Sequence, residues 1–443
     1  MKYFLTSLLV AASFMSASAQ QKWTLRECID YAIAHNINIK QQELTVENSE
    51  INLSTSRNSR LPNLNAGASQ NFNFGRSQSM ATGIYEDNKS TSTGFSLSSS
   101  VPVFNGLRIA NEIKSNELDL RAATEGLNKA KEDMSVNIAL YYMEVLFKKE
   151  ILKVREDLCE LTAKQVERTA TMVEAGSIPH SQLLDIKSQY ANDKLNVVSA
   201  NNDLSLSLLN LAQLLNMMNA DDFDIVEPQQ DINISSHLIR PSGQIYQTAL
   251  GVRPHVKEAE YKLESSAVGL KIAQSYYWPS LSLGLSYNNG FNHIFDNSII
   301  NTNISTQLKN NQREVIGLNL SIPIFNRMQT RNQVQIAQLN LMSRELELQN
   351  IKLSLQKEIQ QAYLSATAAQ AKYTATEEAL DAAQEAHIYV EERYRLGKAT
   401  VLELTEAQAK LSSSRSEQLQ AKYEFLIREK ILSLYEGKDI TEE

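Results

Sequence analysis

Glu403 and Glu406 lie three residues apart, so a helix over this stretch places both carboxylates on one face. Asp185 stands at the position equivalent to Glu406 in the first half of a chain that repeats itself. Crowded carboxylates repel, raise each other's pKa and attract cations. That chemistry suits an electrostatic surface rather than a catalytic dyad. The histidines (His35, His180, His237, His255, His293, His387) are scattered, and none forms a metal-binding spacing. There is no Ser/His/Asp set, no P-loop and no dinucleotide fingerprint. Catalytic residues, a metal site and a cofactor are therefore not expected. Cys28 and Cys159 show no CxxC or Cys/His spacing. An exported chain permits a disulfide, but each falls in a separate predicted helix, which favours two unpaired, buried small hydrophobes.

Those acids belong to long periodic elements that surround two glycines. In Thr171–Tyr190 and Glu391–Leu411 a helical pattern runs into Gly176 or Gly397 and resumes a few residues later. A glycine in the left-handed conformation ends a helix, so each stretch reads as the tip of a long helical hairpin. From Asn105 to Val173 no proline interrupts the pattern, which predicts ~100 Å of helix at ~1.5 Å per residue. Pro179 is tolerated in the first turn of the returning helix. A second long helix is expected from about Asn326 to Leu396.

Trp23 to Arg60 reads as one helix, with Thr24 and Glu27 as a capping box at its start. Period-two alternation then appears at 64–74 and 95–103, with Leu64, Ala66, Ala68, Phe72 and Phe74 on one face and Phe95, Leu97, Ser99, Val101 and Val103 on another. Gly75–Gly94 reads as a polar loop between these strands. A second pair is expected at 281–291 and 315–325.

The landmarks recur in register. Trp278-Pro279-Ser280-Leu281 follows Leu61-Pro62-Asn63-Leu64 by 217 positions, and Ser321-Ile322-Pro323-Ile324-Phe325-Asn326 follows Ser100-Val101-Pro102-Val103-Phe104-Asn105 by 221. Gly397 also follows Gly176 by 221. Repeat detection comes before any fold assignment. The expected organisation is a signal peptide at 1–19, a first repeat at 20–219 with a tip at 175–179, a connector at 220–243, a second repeat at 244–437 with a tip at 396–400, and a tail at 438–443.

The signal peptide rests on Lys2, the apolar run Tyr3–Phe14 and Ala17-Ser18-Ala19 as its cleavage site. Net charge is −8 and no basic patch is interleaved with aromatics, which argues against nucleic-acid binding. No stretch of ~20 apolar residues follows the signal, so no membrane-spanning helix is expected. Four alternating strands can instead cross a bilayer with lipid on one face and water on the other. Four strands cannot close a barrel, and an open edge cannot sit in lipid. Other subunits must complete it. The alternative is a soluble periplasmic coiled-coil adaptor or scaffold.

With its Pro-x-Leu strand starts, Ser-hydrophobe-Pro-hydrophobe-Phe-Asn strand ends and Gly-turned hairpins, each occurring twice, the sequence resembles the TolC-type outer-membrane efflux proteins. The resemblance covers Trp23 to about Gly437. It implies a mainly α fold of two tandem repeats, each a helix, a β-strand pair and a long α-helical hairpin. It implies a homotrimer with a 12-stranded β-barrel in the outer membrane and an α-helical tunnel in the periplasm. It further implies the channel of a tripartite efflux or type I secretion system, a passive export duct for small molecules or proteins, not an enzyme. The tips would dock a periplasmic adaptor serving an inner-membrane pump, which must supply the energy, and the barrel would face outer-membrane lipid.

The same resemblance assigns residues. Glu403 and Glu406, with Asp185, would form an acidic constriction of the lumen. Gly176, Ser177, Gly397 and Lys398 would form the docking tips. Tyr394 would help latch the closed end, with Gln182 where the family has an Asp and Ala399 where it has an Arg.

Overall fold

The computed structural model describes residues 22–78, 83–217, 223–227, 240–295, 301–438 and 440. The expected signal peptide, most of the connector and most of the tail lie outside these residues. In chain order the elements are β1 (Lys22–Trp23), α1 (Leu25–His35), α2 (Ile37–Asn58), β2 (Asn65–Gln78), β3 (Tyr85–Phe104), α3 (Arg108–Glu174), α4 (His180–Leu214), β4 (Asp224–Ile225), α5 (Ser242–Val252), α6 (Pro254–Ser275), β5 (Ser280–Ile294), α7 (Ile304–Asn310), β6 (Arg313–Ser321), α8 (Gln329–Arg395) and α9 (Val401–Tyr435). The long helices α3 and α8 have 67 residues each, and α4 and α9 have 35 each.

The expected single helix over 23–60 breaks at Asn36, whose backbone is extended. Its side chain accepts from Asn38 N–H at 2.8 Å and donates to Leu214 O at 3.2 Å, an alternative to the helical ladder. The repeat places Arg253 at the same position, also extended, where Pro254 disfavours helical backbone in the residue before it. The capping box at Thr24 is formed, with Glu27 accepting from Thr24 N–H at 2.8 Å.

Two compact units result, and each draws on both repeats. Thr45–Thr124 and Glu258–Gln349 make one of them. Its centre is an antiparallel sheet in the order β2-β3-β5-β6. Leu97 opposes Tyr287, Val101 opposes Leu283 and Leu283 opposes Leu318, whereas Ser98 opposes Ser286 and Gly284 opposes Gly317. Opposed residues share a face, so one face is apolar and the other small and polar. The apolar face is open, with Phe74, Ile316 and Leu318 exposed by 72%, 76% and 69%.

The strands differ from expectation in their ends. β3 starts at Tyr85, inside the expected loop, because Tyr85–Gly94 pairs with β2 although it lacks apolar alternation. A bulge between Pro102 and Phe104 sets Phe104, not Val103, opposite Leu281. β6 stops at Ser321, short of the expected 325; Pro323 has no N–H to continue a ladder. The helix α7 was not expected.

The other unit holds the main core, in which Cys28, Ile138, Val145, Leu211, Leu215 and Ile225 are buried. Cys28 and Cys159 are both free; Cys28 is buried as expected, which pushes its thiol up to about 12, whereas Cys159 is only partly buried. The Tyr142 hydroxyl donates to Val226 O at 2.7 Å, beside the β1–β4 pair. Arg253 is buried and pairs with Glu132 at 3.1 Å. Burial pushes the Glu132 carboxyl up, and Arg253 opposes that shift.

Left-handed residues also follow the repeat. Gly106 and Leu107 have φ of 65° and 64°, and Arg327 and Met328, 221 positions on, have 55° and 63°. A side chain is thus tolerated at 327. At 106 an added Cβ would lie 2.7 Å from Trp278 Cβ and 2.8 Å from Ser275 O. At Gly176, also left-handed, it would meet nothing. Gly106→Ala should therefore cost more than the ~1–2 kcal/mol of left-handed strain alone and lower the yield of folded protein recovered from membranes, while Gly176→Ala recovers near-normal yield. Equal yields from the two variants would contradict the role given to Trp278.

Candidate functional site

The candidate site is the pair of hairpin turns. In the first, Gly176 N–H donates to Val173 O at 2.9 Å and Ser177 N–H to Met172 O at 2.9 Å. In the second, Gly397 N–H donates to Tyr394 O at 2.9 Å and Lys398 N–H to Arg393 O at 2.8 Å. Both are Schellman turns, with glycine supplying φ of 69° and 72°. Gly176, Ser177, Gly397 and Lys398 are all exposed, so the turns present bare backbone.

The two turns differ in how the chain resumes. α4 starts after Pro179, which has no side-chain cap. α9 starts after Thr400 with a full capping box: Glu403 accepts from Thr400 N–H at 2.7 Å, and Glu403 N–H donates to Thr400 Oγ1 at 3.2 Å. Arg393 then spans the turn. Its Nη2 donates to Lys398 O at 3.0 Å and lies 3.5 Å from Glu403 Oε1. The second tip is pinned by side chains and the first is not.

This arrangement changes the reading of Glu403. The Thr400 N–H and hydroxyl, aided by Arg393, hold its carboxyl below the usual value of 4.5. Within one chain it is a capping group, not a member of a cluster that raises its pKa. Glu406 and Asp185 are exposed on the early turns of α9 and α4.

Tyr394 is half-buried among Leu183, Ile186, Val401 and Val173. Its hydroxyl lies 3.3 Å from Thr169 Oγ1, so α8 is tied to α3 rather than to Gln182 on α4. The partner is a buried threonine one turn from the end of α3, which no motif marked. A second polar contact was also missed: Asp193, buried, accepts from Thr162 Oγ1 at 2.8 Å and from Gln189 Nε2 at 2.9 Å. Arg155 donates to Ser412 at 2.9 Å and links α3 to α9. Among the described residues no group of His, Cys, Asp or Glu is arranged to hold a metal, and no helix is long and apolar enough to cross a membrane.

The family model for "Outer membrane efflux protein" matches residues 28–217 and 245–438, the two repeats in turn. The chain belongs to the outer membrane efflux protein family. It is 20% identical over 422 residues to the outer membrane efflux protein BepC of Brucella suis biovar 1 (strain 1330), covering 95% of this chain and 87% of that one. It is 22% identical over 392 residues to the outer membrane protein TolC of Escherichia coli (strain K12), covering 85% and 74%. Among solved structures, the outer membrane protein VceC of Vibrio cholerae superposes with a TM-score of 0.75 at 18% identity, covering 94% of this chain and 96% of that one. Membership of this family places the chain in the outer membrane and overturns the alternative of a soluble adaptor or scaffold.

The cap makes a pH prediction. Because folding lowers the Glu403 pKa, its contribution is fully present above the ordinary value of 4.5 and is lost as pH falls through the lowered folded value. Protection of the Thr400 amide in NMR exchange should be constant from neutral pH down to that range and then collapse. Glu403→Ala should abolish it at all pH values. Retained protection in that variant would contradict the capping role.

Proposed function

We propose that this outer membrane efflux protein is the channel of a tripartite efflux or type I secretion system, a passive duct for small molecules or proteins across the periplasm and outer membrane. The observation that carries the reading is a four-stranded sheet with an exposed apolar face and two edges, β2 and β6, that no strand pairs among the described residues. Lipid tolerates neither edge unpaired. Three copies, pairing β6 of one with β2 of the next, supply a closed barrel of twelve strands.

The helices support the same assembly. Leu184, Leu195 and Leu206 recur every eleven residues on α4 and are exposed, as are Val198 and Leu209. Eleven residues are about three helical turns, so these lie along one line. Leu339, Leu346 and Leu353 form a similar exposed row on α8. Exposed apolar rows of this kind mark surfaces that another chain covers.

In this reading the tips meet a periplasmic adaptor, and an inner-membrane pump supplies the energy. Gly397 and Lys398 offer a preformed surface, Gly176 and Ser177 an adaptable one. Glu403, Glu406 and Asp185 contribute acidic rings where three copies meet, and Tyr394 with Thr169 steadies the tip behind them. Gln keeps the hydrogen-bonding shape of a Glu cap while removing its charge, which makes a clean test available.

In a planar bilayer the purified protein should insert and conduct in discrete, cation-preferring steps. The double variant Glu403→Gln, Glu406→Gln should insert equally and lose cation preference; an unchanged reversal potential would contradict the acidic rings. Gly397→Trp should leave membrane assembly intact and abolish export, whereas normal export from it would contradict adaptor docking at the second tip.

A further inference from the structure

The pairing of β5 with β6 ends where Asn288 meets Arg313. Beyond it β5 continues for six more residues, to Ile294, with no strand on this side among the described residues. Its backbone groups there are nevertheless satisfied. Asn311 Nδ2 donates to Gly290 O at 2.8 Å. Gln307 accepts from Asn292 N–H at 2.8 Å and donates back to Asn292 O at 2.9 Å. Asn301 accepts from Ile294 N–H at 2.9 Å and donates to Ile294 O at 2.7 Å. The three residues served, 290, 292 and 294, alternate as the β6-facing residues of a ladder must. Side-chain amides thus continue β6 where its backbone has left off.

The segment that carries these amides is itself braced. Asn303 caps α7 by accepting from Ser305 N–H at 3.3 Å. Gln307 Nε2 also donates to Thr302 O at 2.8 Å, and Asn289 Nδ2 donates to Leu308 O at 3.0 Å. An amide side chain sets N–H donors beside a carbonyl acceptor, so it can match the donor and acceptor that a backbone residue offers across a ladder. A strand edge with unpaired N–H and C=O groups is a template for any extended chain.

We propose that Asn301–Asn311 is a side-chain strap that seals the distal β5 edge against strand addition and confines lateral pairing on this side of the sheet to the nine residues of β6. The partner it regulates is a second copy of this chain, whose β2 has fourteen residues and so offers more pairing length than β6 can use. The sealing itself rests on the contacts above. Only its consequence for the seam between copies rests on the trimer reading. No charge or titrating group takes part, so the strap should be insensitive to pH.

The test is residue-resolved amide exchange on the whole, detergent-extracted protein. In the triple variant Asn301→Ala, Gln307→Ala, Asn311→Ala, the amides of Asn292 and Ile294 should exchange at least about tenfold faster, while Gly284, inside the β5–β6 ladder, stays protected. The single variant Gln307→Ala, which keeps most of the segment, should release Asn292 and leave Ile294 protected. Unchanged exchange at Asn292 and Ile294 in the triple variant would overturn the strap, and so would release of Ile294 together with Asn292 in the single one. The readout does not depend on copy number, so a protein found to be monomeric would sink the trimer reading without deciding this one.

Discussion

A β-sheet placed in hydrocarbon must pair every backbone N–H and C=O, because water is not there to do it and each unsatisfied group costs several kcal/mol. Among the described residues, the sheet β2-β3-β5-β6 has two edges that its own chain does not pair. The apolar face it exposes is useful only where there is lipid, and lipid forbids the edges. Closure by further copies resolves the conflict. Given that closure, the exposed leucine rows on α4 and α8 become inter-subunit surfaces rather than liabilities. The strap on distal β5 is the local version of the same rule, solved with side chains where no strand is available.

The internal repeat shows which features the architecture needs and which are free to diverge. Both long helices follow a pair of left-handed residues and both end in a Schellman turn. The second helix of each hairpin also ends left-handed, at Asn216 and at Gly437. The identities differ where surroundings differ. Gly106 is packed against Trp278, and its counterpart Arg327 is exposed. The helix break of the first repeat is held by hydrogen bonds of the Asn36 side chain, and that of the second is set by Pro254, with the buried Arg253 before it paired to a partly buried Glu132. The tips diverge in the same manner: Pro179 leaves the first uncapped, and Thr400, Glu403 and Arg393 pin the second.

Much of this was legible in the sequence, because the decisive signals are local or repeated. Gly176 and Gly397 marked the turns, Thr24 and Glu27 marked a cap, and alternation marked the apolar strand face. Other features had readable signals that were outweighed. Thr400-x-x-Glu403 is a capping-box pattern, which competes with the charge of the same carboxylate as an explanation of that residue. Pro254 marked a helix break that the repeat register transfers to Asn36. The remainder had no local signal. The Tyr394–Thr169 contact joins positions 225 apart in the chain, and the strap depends on three amides meeting one strand edge. Tertiary placement alone creates such contacts. The Tyr85–Gly94 part of β3 was missed because pairing, rather than apolar burial, holds it in the sheet.

The most direct test of the central claim is the mass of the detergent-extracted protein by native mass spectrometry. Edge closure by copies predicts an assembly of three chains that persists when the detergent is exchanged, with no stable single chain. A protein that stays in solution as one chain without detergent would contradict it, since its sheet would then carry two open edges and a bare apolar face in water.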